Sequence, residues 1–250
     1  MSRVTLLLIY FACLAGEALA DEIETVRSWE HFREVLIADG DSESEADAQI
    51  AAMLSSLGSM DRSAGSDRIG VAAPSFEFDG WLNSKPLTLE DLRGRVVLVR
   101  WWTETCPFCA TSAPALRAIH QQYSPRGLTV IGVYHPKADS QGPLDIERVE
   151  RAVESRKLDF PIAIDWDWRN GTLEDWWLTG PERPATSVTF LLDKSGVIQF
   201  IHPGMEYHDL NGTAGGLLGG SESHAMCATD MADIRSQIER LLAESGPPVP

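Results

Sequence analysis

The sequence predicts an α/β fold in which helices flank a central mixed β-sheet. The apolar, β-branched run Val96–Val99 is typical of a buried parallel strand. A stretch with helical spacing, Ala110–Tyr123, follows it and leads to a second apolar run, Leu128–Tyr134. A connection of this length implies a right-handed parallel crossover. Residues 188–201 instead predict a closing antiparallel hairpin, with its turn at Asp193–Gly196.

Shorter patterns complete the predicted order of elements. These are a hairpin of Phe76–Phe78 with Lys85–Thr88, a helix carrying Ile146, Val149 and Val153, a strand Phe160–Ile164, a short helix Leu173–Leu178, a glycine-rich loop 203–226 and a closing helix through Met231–Leu242. The loop contains no phosphate-binding motif, since neither GxxxxGK[ST] nor GxGxxG in a strand context is present.

The first 20 residues have the pattern of a signal peptide. Arg3 precedes an apolar run too short to span a bilayer, and Ala18–Ala20 offers a cleavage site of small residues. Cys13 could be the lipidated cysteine of a lipoprotein, although the residues before it, Tyr10–Ala12, fit that interpretation poorly. We therefore expect an exported protein, periplasmic or extracytoplasmic, cleaved near Ala20 and without an integral membrane segment in its mature chain. Disulfides persist in such a compartment.

An acidic arm separates the leader from the main domain. Residues 21–58 predict a helical hairpin in which Gly40 ends the first helix and a Ser42–Glu45 capping box begins the second. The arm either packs on the flank of the domain or docks a partner. Residues 59–69 read as a linker, and residues 70–245 as one domain. The formal net charge of −16 argues against nucleic acid as a partner.

Two cysteines stand where a strand gives way to a helix. Cys106 can cap the helix, where unpaired backbone N–H groups and the helix dipole favour a thiolate. Cys109 lies one turn further on, close enough for a disulfide. An isolated CxxC could also be half of a zinc site, but the sequence has no second CxxC. The pair therefore predicts redox chemistry and no bound metal or other cofactor.

The same stretch resembles a known family. Cys106-Pro107-Phe108-Cys109, with Trp102 before it and Pro114 after it, is similar to the active site of thioredoxin-fold oxidoreductases. Gly70–Phe76 and Leu92–Val99 narrow the resemblance to TlpA-type, redoxin-like thiol:disulfide oxidoreductases of bacterial cell envelopes, over about Gly70 to His202. The resemblance implies a thioredoxin-like three-layer fold, protein thiols or disulfides as substrates, Cys106 as nucleophile and Cys109 as resolving cysteine.

Two observations indicate opposite directions of electron flow. The Pro-Phe dipeptide resembles those of oxidising or glutaredoxin-like members, whereas TlpA-type proteins are usually reductants that a membrane electron donor recharges. We expect a reductase. Two departures from the family bear on this: Arg100 replaces a buried carboxylate, and Ser187 replaces a cis-proline. Arg100 could stabilise a thiolate or pair with an acid elsewhere, and the peptide bond before Ser187 should be trans.

Several neighbours complete the predicted environment of the cysteines. Glu104 and Thr105 could contact substrate or be plain loop residues, and Trp102 and Phe108 should lie beside the disulfide. His135 and His202 each end a strand on the side of the active site, where they could shuttle protons or be structural. The pairs Trp101–Trp102 and Trp176–Trp177 favour core positions over a binding platform. Cys227 could be an inert buried thiol, a third redox partner or a metal ligand with His224.

Two rival functions remain open at this point. Thr103 and Cys106 form the TxxC half of a peroxiredoxin motif, although Val99 stands where its proline belongs. A copper metallochaperone could hold Cu(I) through the two cysteines and His135 or His202, because soft thiolates suit that ion. Peroxide consumption tests the first rival and Cu(I) titration the second.

Overall fold

The computed structural model describes residues 33–34, 36–38, 40–57, 61–136, 142–181, 183, 185–204, 206–208 and 221–245. The predicted signal peptide and the start of the helical arm lie outside these residues. Within them, the main domain is built on one six-stranded mixed sheet, with the strand order β1-β4-β3-β2-β5-β6. The strands are β1 Gly80–Leu82, β2 Val96–Trp102, β3 Leu128–Tyr134, β4 Ile162–Ile164, β5 Thr189–Leu192 and β6 Ile198–His202. The predicted mixed sheet flanked by helices is confirmed.

Helices precede, connect or follow these strands. They are α1 Glu43–Leu57, α2 Pro107–Tyr123, α3 Ile146–Ser155 and α4 Ser221–Ala243, with a single π-helical turn at Glu174–Leu178. Among the described residues, no helix combines the length and apolar character needed to cross a bilayer.

The direction of the strands brings the predicted site residues to one edge of the sheet. β3 runs parallel to β2, and β5 runs antiparallel to it. β6 is antiparallel to β5 and therefore parallel to β2. The carboxyl ends of β2, β3 and β6 thus lie at the same edge, where α2 begins.

β2 is buried over its whole length and divides the core in two. Val96, Leu98 and Trp102 contribute to a cluster with buried residues of α2, α3 and α4. Val97, Val99 and Trp101 belong to the cluster on the other face, which includes Trp176 and Trp177 of the π-helical turn. Because side chains alternate along a strand, Arg100 lies on the face covered by the helices.

The predicted hairpin of Phe76–Phe78 with Lys85–Thr88 is wrong. The strand in this region is Gly80–Leu82, which pairs antiparallel with β4. Phe76 and Phe78 stack on each other with ring centroids 5.2 Å apart, and Phe76 also stacks on Trp176 at 5.9 Å. The apolar alternation reflects this aromatic packing and not strand pairing.

The helix α1 begins with the predicted cap, whereas α4 begins earlier than predicted. The capping box at the start of α1 is present, because the Ser42 backbone N–H donates to Glu45 Oε2 at 2.8 Å and Glu45 N–H to Ser42 Oγ at 3.3 Å. Arg33 joins the arm's two helical pieces through its bond to Asp47. The loop predicted at 203–226 is too long, since α4 begins at Ser221. Residues 209–220 lie outside the described part of the chain.

Candidate active site

Cys106 stands at the N-cap of α2, directly before the first helical residue, Pro107. Its backbone is extended, with φ −89° and ψ 113°, as an N-cap requires. Pro107 is well suited to the first helical position, because its missing N–H would have no partner within the helix. The side chain of Cys106 is only 7% exposed. The helix therefore presents its amino end, with its partial positive charge, at a shielded thiol.

Cys109 lies one turn into α2 and is in direct contact with its partner. Its backbone N–H donates to the Cys106 carbonyl at 3.1 Å, and the two thiols are hydrogen-bonded to each other. Burial by itself would raise the pKa of Cys109. The hydrogen bond from Cys106 and the charge of Arg100 outweigh burial and lower that pKa to about 6.

Arg100 is the main source of positive charge beneath the cysteines. The residue is fully buried, and its Nη1 donates to Thr189 Oγ1 at 3.0 Å. Its guanidinium lies over the ring of Tyr207, 4.9 Å from the centroid. Of the two roles that the sequence left open for Arg100, the charge acting on Cys109 supports the stabilisation of a thiolate.

Buried aromatic side chains form an apolar wall of the site. Trp102 and Phe108 are both buried in the same cluster as the two cysteines. The ring of Trp102 meets that of Tyr134 edge-on, with centroids 5.3 Å apart. Gly132 lies against Trp102, since a Cβ at this position would lie 3.1 Å from the Trp102 Nε1. All four tryptophans of the two pairs are buried, as expected for core residues.

Glu104 is bound by two arginines, and its side chain is only 18% exposed. Arg148 of α3 donates from Nε to its Oε1 at 2.6 Å, and Arg156 donates to its backbone carbonyl at 2.9 Å. Burial opposes ionisation of Glu104, but Arg148 outweighs it and lowers the pKa of that carboxyl. Thr105 is half-buried and lies next to Cys106. The exposed part of this loop is thus small and rigidly supported.

The remaining predicted site residues are buried. His135 is fully buried and packs against Trp168, with ring centroids 5.1 Å apart. His202 Nε2 lies 3.2 Å from Asp230 Oδ2, and burial together with Arg100 and Arg62 holds the pKa of His202 well below its usual value. A rim position for either histidine is therefore wrong. Ser187 is buried, and its preceding peptide bond is trans as expected.

Sequence reasoning missed three contributors to the site. Arg148 and Arg156 come from the region of α3, and Tyr207 comes from the segment after β6. Each reaches the cysteines or their loop only through tertiary contacts, so no local motif marks them. Only Arg148 could have been found from the sequence, because its positive charge complements the negative charge of Glu104 across the predicted α/β crossover.

The cysteine pair does not assemble the predicted copper ligands. Within the described part of the chain, Glu206, His208 and Cys227 form the one group of three side chains whose potential metal-ligand atoms lie within 4.8 Å of one another. Neither Cys106 nor Cys109 forms such a group with His135 or His202.

Known proteins resemble about half of this chain. DipZ of Mycobacterium bovis is 32% identical over 139 residues, which cover 53% of this chain and 18% of DipZ. The thiol-disulfide oxidoreductase ResA of Oceanobacillus iheyensis is 24% identical over 140 residues, 55% of this chain and 66% of ResA. The matched stretch thus spans less than a fifth of the length of DipZ.

A solved structure matches the fold of this chain over most of its length. The crystal structure of a thioredoxin-like superfamily protein matches with a TM-score of 0.51 and 21% identity, over 70% of this chain and 99% of that one. This likeness confirms the thioredoxin-like fold. Residues 69–201, which include the whole sheet except its last residue, match the AhpC/TSA family. The resemblance read from the CxxC stretch is thereby confirmed, and the chain belongs to the AhpC/TSA family of redoxins.

Proposed function

We propose that the protein is an exported thiol:disulfide oxidoreductase that reduces disulfides in other proteins. The observation that carries this proposal is the contact between Cys106 at the helix N-cap and Cys109 behind it, with buried Arg100 lowering the pKa of Cys109. Thiolates and not thiols are the reactive species in disulfide exchange. The site thus supplies a thiolate near neutral pH and a second sulfur within reach.

The reaction proceeds in two exchange steps. The Cys106 thiol passes its proton to the Cys109 thiolate along their hydrogen bond. The resulting Cys106 thiolate attacks one sulfur of a substrate disulfide, forms a mixed disulfide and releases the other substrate sulfur as a thiolate. Cys109 gives its proton to the released substrate thiolate and, as a thiolate beside Arg100, attacks the Cys106 sulfur of the mixed disulfide to form the Cys106–Cys109 disulfide. The substrate sulfur bonded to Cys106 leaves as a thiolate and takes up a proton from solvent. The substrate has gained two electrons, and the protein has lost two.

The surroundings of the pair favour a mild reductant. A charge that stabilises the thiolate also stabilises the reduced form, which moves the reduction potential upward. Arg100 occupies a place where thioredoxins have a carboxylate, so we expect a potential above the roughly −270 mV of thioredoxin. We propose the reducing direction of electron flow because of the TlpA-type resemblance. We also propose that a membrane electron donor returns the protein to its dithiol form.

Export rests on the leader-like residues 1–20. Their charged start, short apolar run and small-residue cleavage site are typical of signal peptides. An extracytoplasmic location would place the protein where substrate disulfides occur. Mass measurement of the N-terminus of the cellular protein tests this: a chain beginning at Asp21 supports export, and retention of Met1–Ala20 contradicts it.

Trapping with Cys109→Ser tests the redox proposal. Without its resolving sulfur, Cys106 should retain the substrate protein as a stable mixed disulfide that reductant releases. The matched control is Cys106→Ser, which should trap nothing. Reversal of the two results would make Cys109 the attacking sulfur, and trapping by neither variant would contradict the proposal. Consumption of peroxide by the reduced protein, at a rate exceeding its reduction of protein disulfides, would favour the peroxidase alternative.

A further inference from the structure

A second buried cluster of reactive side chains lies outside the CxxC motif. Glu206 and His208 follow β6, and Cys227 lies on α4. All three side chains are buried. One carboxylate oxygen, one imidazole nitrogen and the thiol sulfur lie within 4.8 Å of one another. The segment after β6 and the helix α4 thus bring three different donor types to one point. The 12 residues between them, 209–220, lie outside the described part of the chain.

The three donor types indicate which ion could bind. Zinc accepts thiolate, imidazole and carboxylate ligands, usually in tetrahedral geometry. Calcium and magnesium prefer all-oxygen sites, and Cu(I) prefers soft sulfur ligands to a carboxylate. Ligand distances to zinc of about 2.0–2.3 Å place neighbouring ligand atoms less than about 4 Å apart. Small side-chain movements would therefore bring these donors to coordination distance.

We propose that Glu206, His208 and Cys227 form a zinc site that is separate from the redox-active cysteines. The three side chains supply three of four tetrahedral positions, and a water molecule completes the shell. Glutamate and thiolate together carry two negative charges, which balance Zn²⁺ in a buried place. This assignment stands independently of the proposed function, because neither Cys106 nor Cys109 takes part in it.

Binding exchanges a proton for the metal ion. The Cys227 thiol donates to Glu206 Oε1 at 3.7 Å. Zinc must displace that proton, because a bound sulfur is a thiolate. The balanced step is uptake of one Zn²⁺ by the Glu206 carboxylate, the His208 imidazole and the Cys227 thiol, with release of the thiol proton to solvent.

A bound ion would also position the redox site. Tyr207 stands between two of the ligands, and its ring lies under the Arg100 guanidinium. Its backbone N–H donates to Ser112 Oγ of α2 at 3.2 Å. A zinc ion joining residues 206 and 208 to α4 would therefore fix Tyr207 against the arginine that acts on Cys109. In this role the zinc site is a positioning element and takes no part in the exchange reaction.

The test uses a full chain in which Cys227 is the only remaining cysteine. The chain has four cysteines, so Cys13→Ser, Cys106→Ser and Cys109→Ser together leave this one. Titration with Zn²⁺ against a chromophoric chelator should give one ion per chain and release of one proton. Co²⁺ in place of zinc should give a thiolate-to-metal charge-transfer band that excess Zn²⁺ removes. The Co²⁺ spectrum is recorded on the parent chain, in which Glu206, His208 and Cys227 are all unchanged.

Variants in the same background identify the ligands. His208→Gln and Cys227→Ser should each weaken zinc binding by more than the roughly 10- to 100-fold that loss of an outer-shell partner costs. His120→Gln, in α2, is the matched histidine control and should bind like the parent. Circular dichroism verifies that each variant is folded. If either variant does not fold, the Co²⁺ spectrum of the parent decides alone.

Two results would overturn the zinc assignment. The first is a parent chain that takes up no Zn²⁺ and shows no thiolate band with Co²⁺, whether or not it takes up Cu(I). The second is unchanged affinity in folded His208→Gln or Cys227→Ser. Neither of these results depends on redox activity, so they leave the proposed function to its own test.

Discussion

Two buried cysteines of this protein experience opposite electrostatic surroundings. Cys109 lies near Arg100 and Arg156 and is hydrogen-bonded to Cys106, and its pKa falls to about 6 although burial opposes ionisation. Cys227 is buried beside Glu206, and its pKa rises to about 12 through burial and that carboxylate. Both thiols are almost completely shielded from solvent.

The comparison shows that charge, and not burial, separates a reactive thiol from an inert one here. Burial penalises the thiolate in both places. At Cys109 the nearby guanidinium groups and the hydrogen bond from Cys106 more than compensate for that penalty, whereas at Cys227 a carboxylate adds to it. We therefore propose that the same residue type serves thiol exchange in one place and metal binding in the other.

The largest expected difference is in the rate of alkylation at pH 7. A pKa of about 6 leaves about 90% of a thiol ionised, whereas a pKa of about 12 leaves roughly 1 part in 10⁵. Lower basicity makes a thiolate less nucleophilic, which cancels roughly 10²–10³ of that advantage. The CxxC pair should therefore react at least about 100-fold faster than Cys227, measured by mass spectrometry of labelled peptides.

Denatured protein is the control for alkylation, because its cysteines should then react at similar rates. Equal rates in the folded, metal-free protein would contradict the contrast between the two surroundings. Faster labelling of Cys227 than of the CxxC pair would reverse it.

The second effect is on the pH dependence of stability in the reduced protein. The folded pKa of Cys109 is lowered from 9.0 to about 6. Its stabilising contribution is complete above pH 9 and is lost as the pH falls through 6. The free energy of unfolding should therefore rise by ~1–4 kcal/mol between pH 6 and pH 9. Denaturant titration at several pH values measures it.

Cys109→Ser should remove most of this rise, while Cys227→Ser should leave it in place. The folded pKa of Cys227 is raised, so its contribution is complete below pH 9 and is lost only as the pH rises through about 12. A slope that persists in Cys109→Ser would show that other groups produce it.

Local sequence patterns predicted the strands and the cysteine pair well because each is encoded within a few residues. β3 has the predicted bounds Leu128–Tyr134, and Cys106 caps α2 as expected. The aromatic residues Phe76 and Phe78 misled the prediction, since alternation fits both a strand and an aromatic cluster.

The partners of the cysteines could not be predicted, because they come from distant parts of the chain. Tyr207 reaches Arg100 across 107 positions of sequence, and Arg148 reaches Glu104 across 44. Glu206 and His208 lie in a stretch that the sequence shows only as part of a glycine-rich loop. Their approach to Cys227 depends on how α4 packs against the sheet.

A smaller effect is expected from Arg100→Met, which removes the charge beside the pair. The pKa of the pair should rise by on the order of one unit, and the reduction potential should fall by about 30 mV for each unit. Thiolate absorbance against pH and equilibration with a dithiol buffer measure the two quantities. Arg100→Lys keeps the charge and should restore most of both. A potential that rises in Arg100→Met would contradict the assigned role.

The smallest effect is expected from Glu206→Gln in the metal-free protein. Loss of the carboxylate removes one of the two main causes that raise the pKa of Cys227. Alkylation of Cys227 at pH 9 should become several-fold faster, because burial still opposes the thiolate. Glu206→Asp retains the charge and is the matched control. An unchanged rate in Glu206→Gln would assign the protection of Cys227 to burial alone.

Redox equilibration of the metal-free protein, followed by peptide mapping of all thiols, identifies which sulfurs form the redox-active pair. We expect one two-electron transition that joins Cys106 to Cys109, while Cys227 stays a thiol throughout. A disulfide that includes Cys227, or the absence of any Cys106–Cys109 bond across the range of potentials, would contradict it.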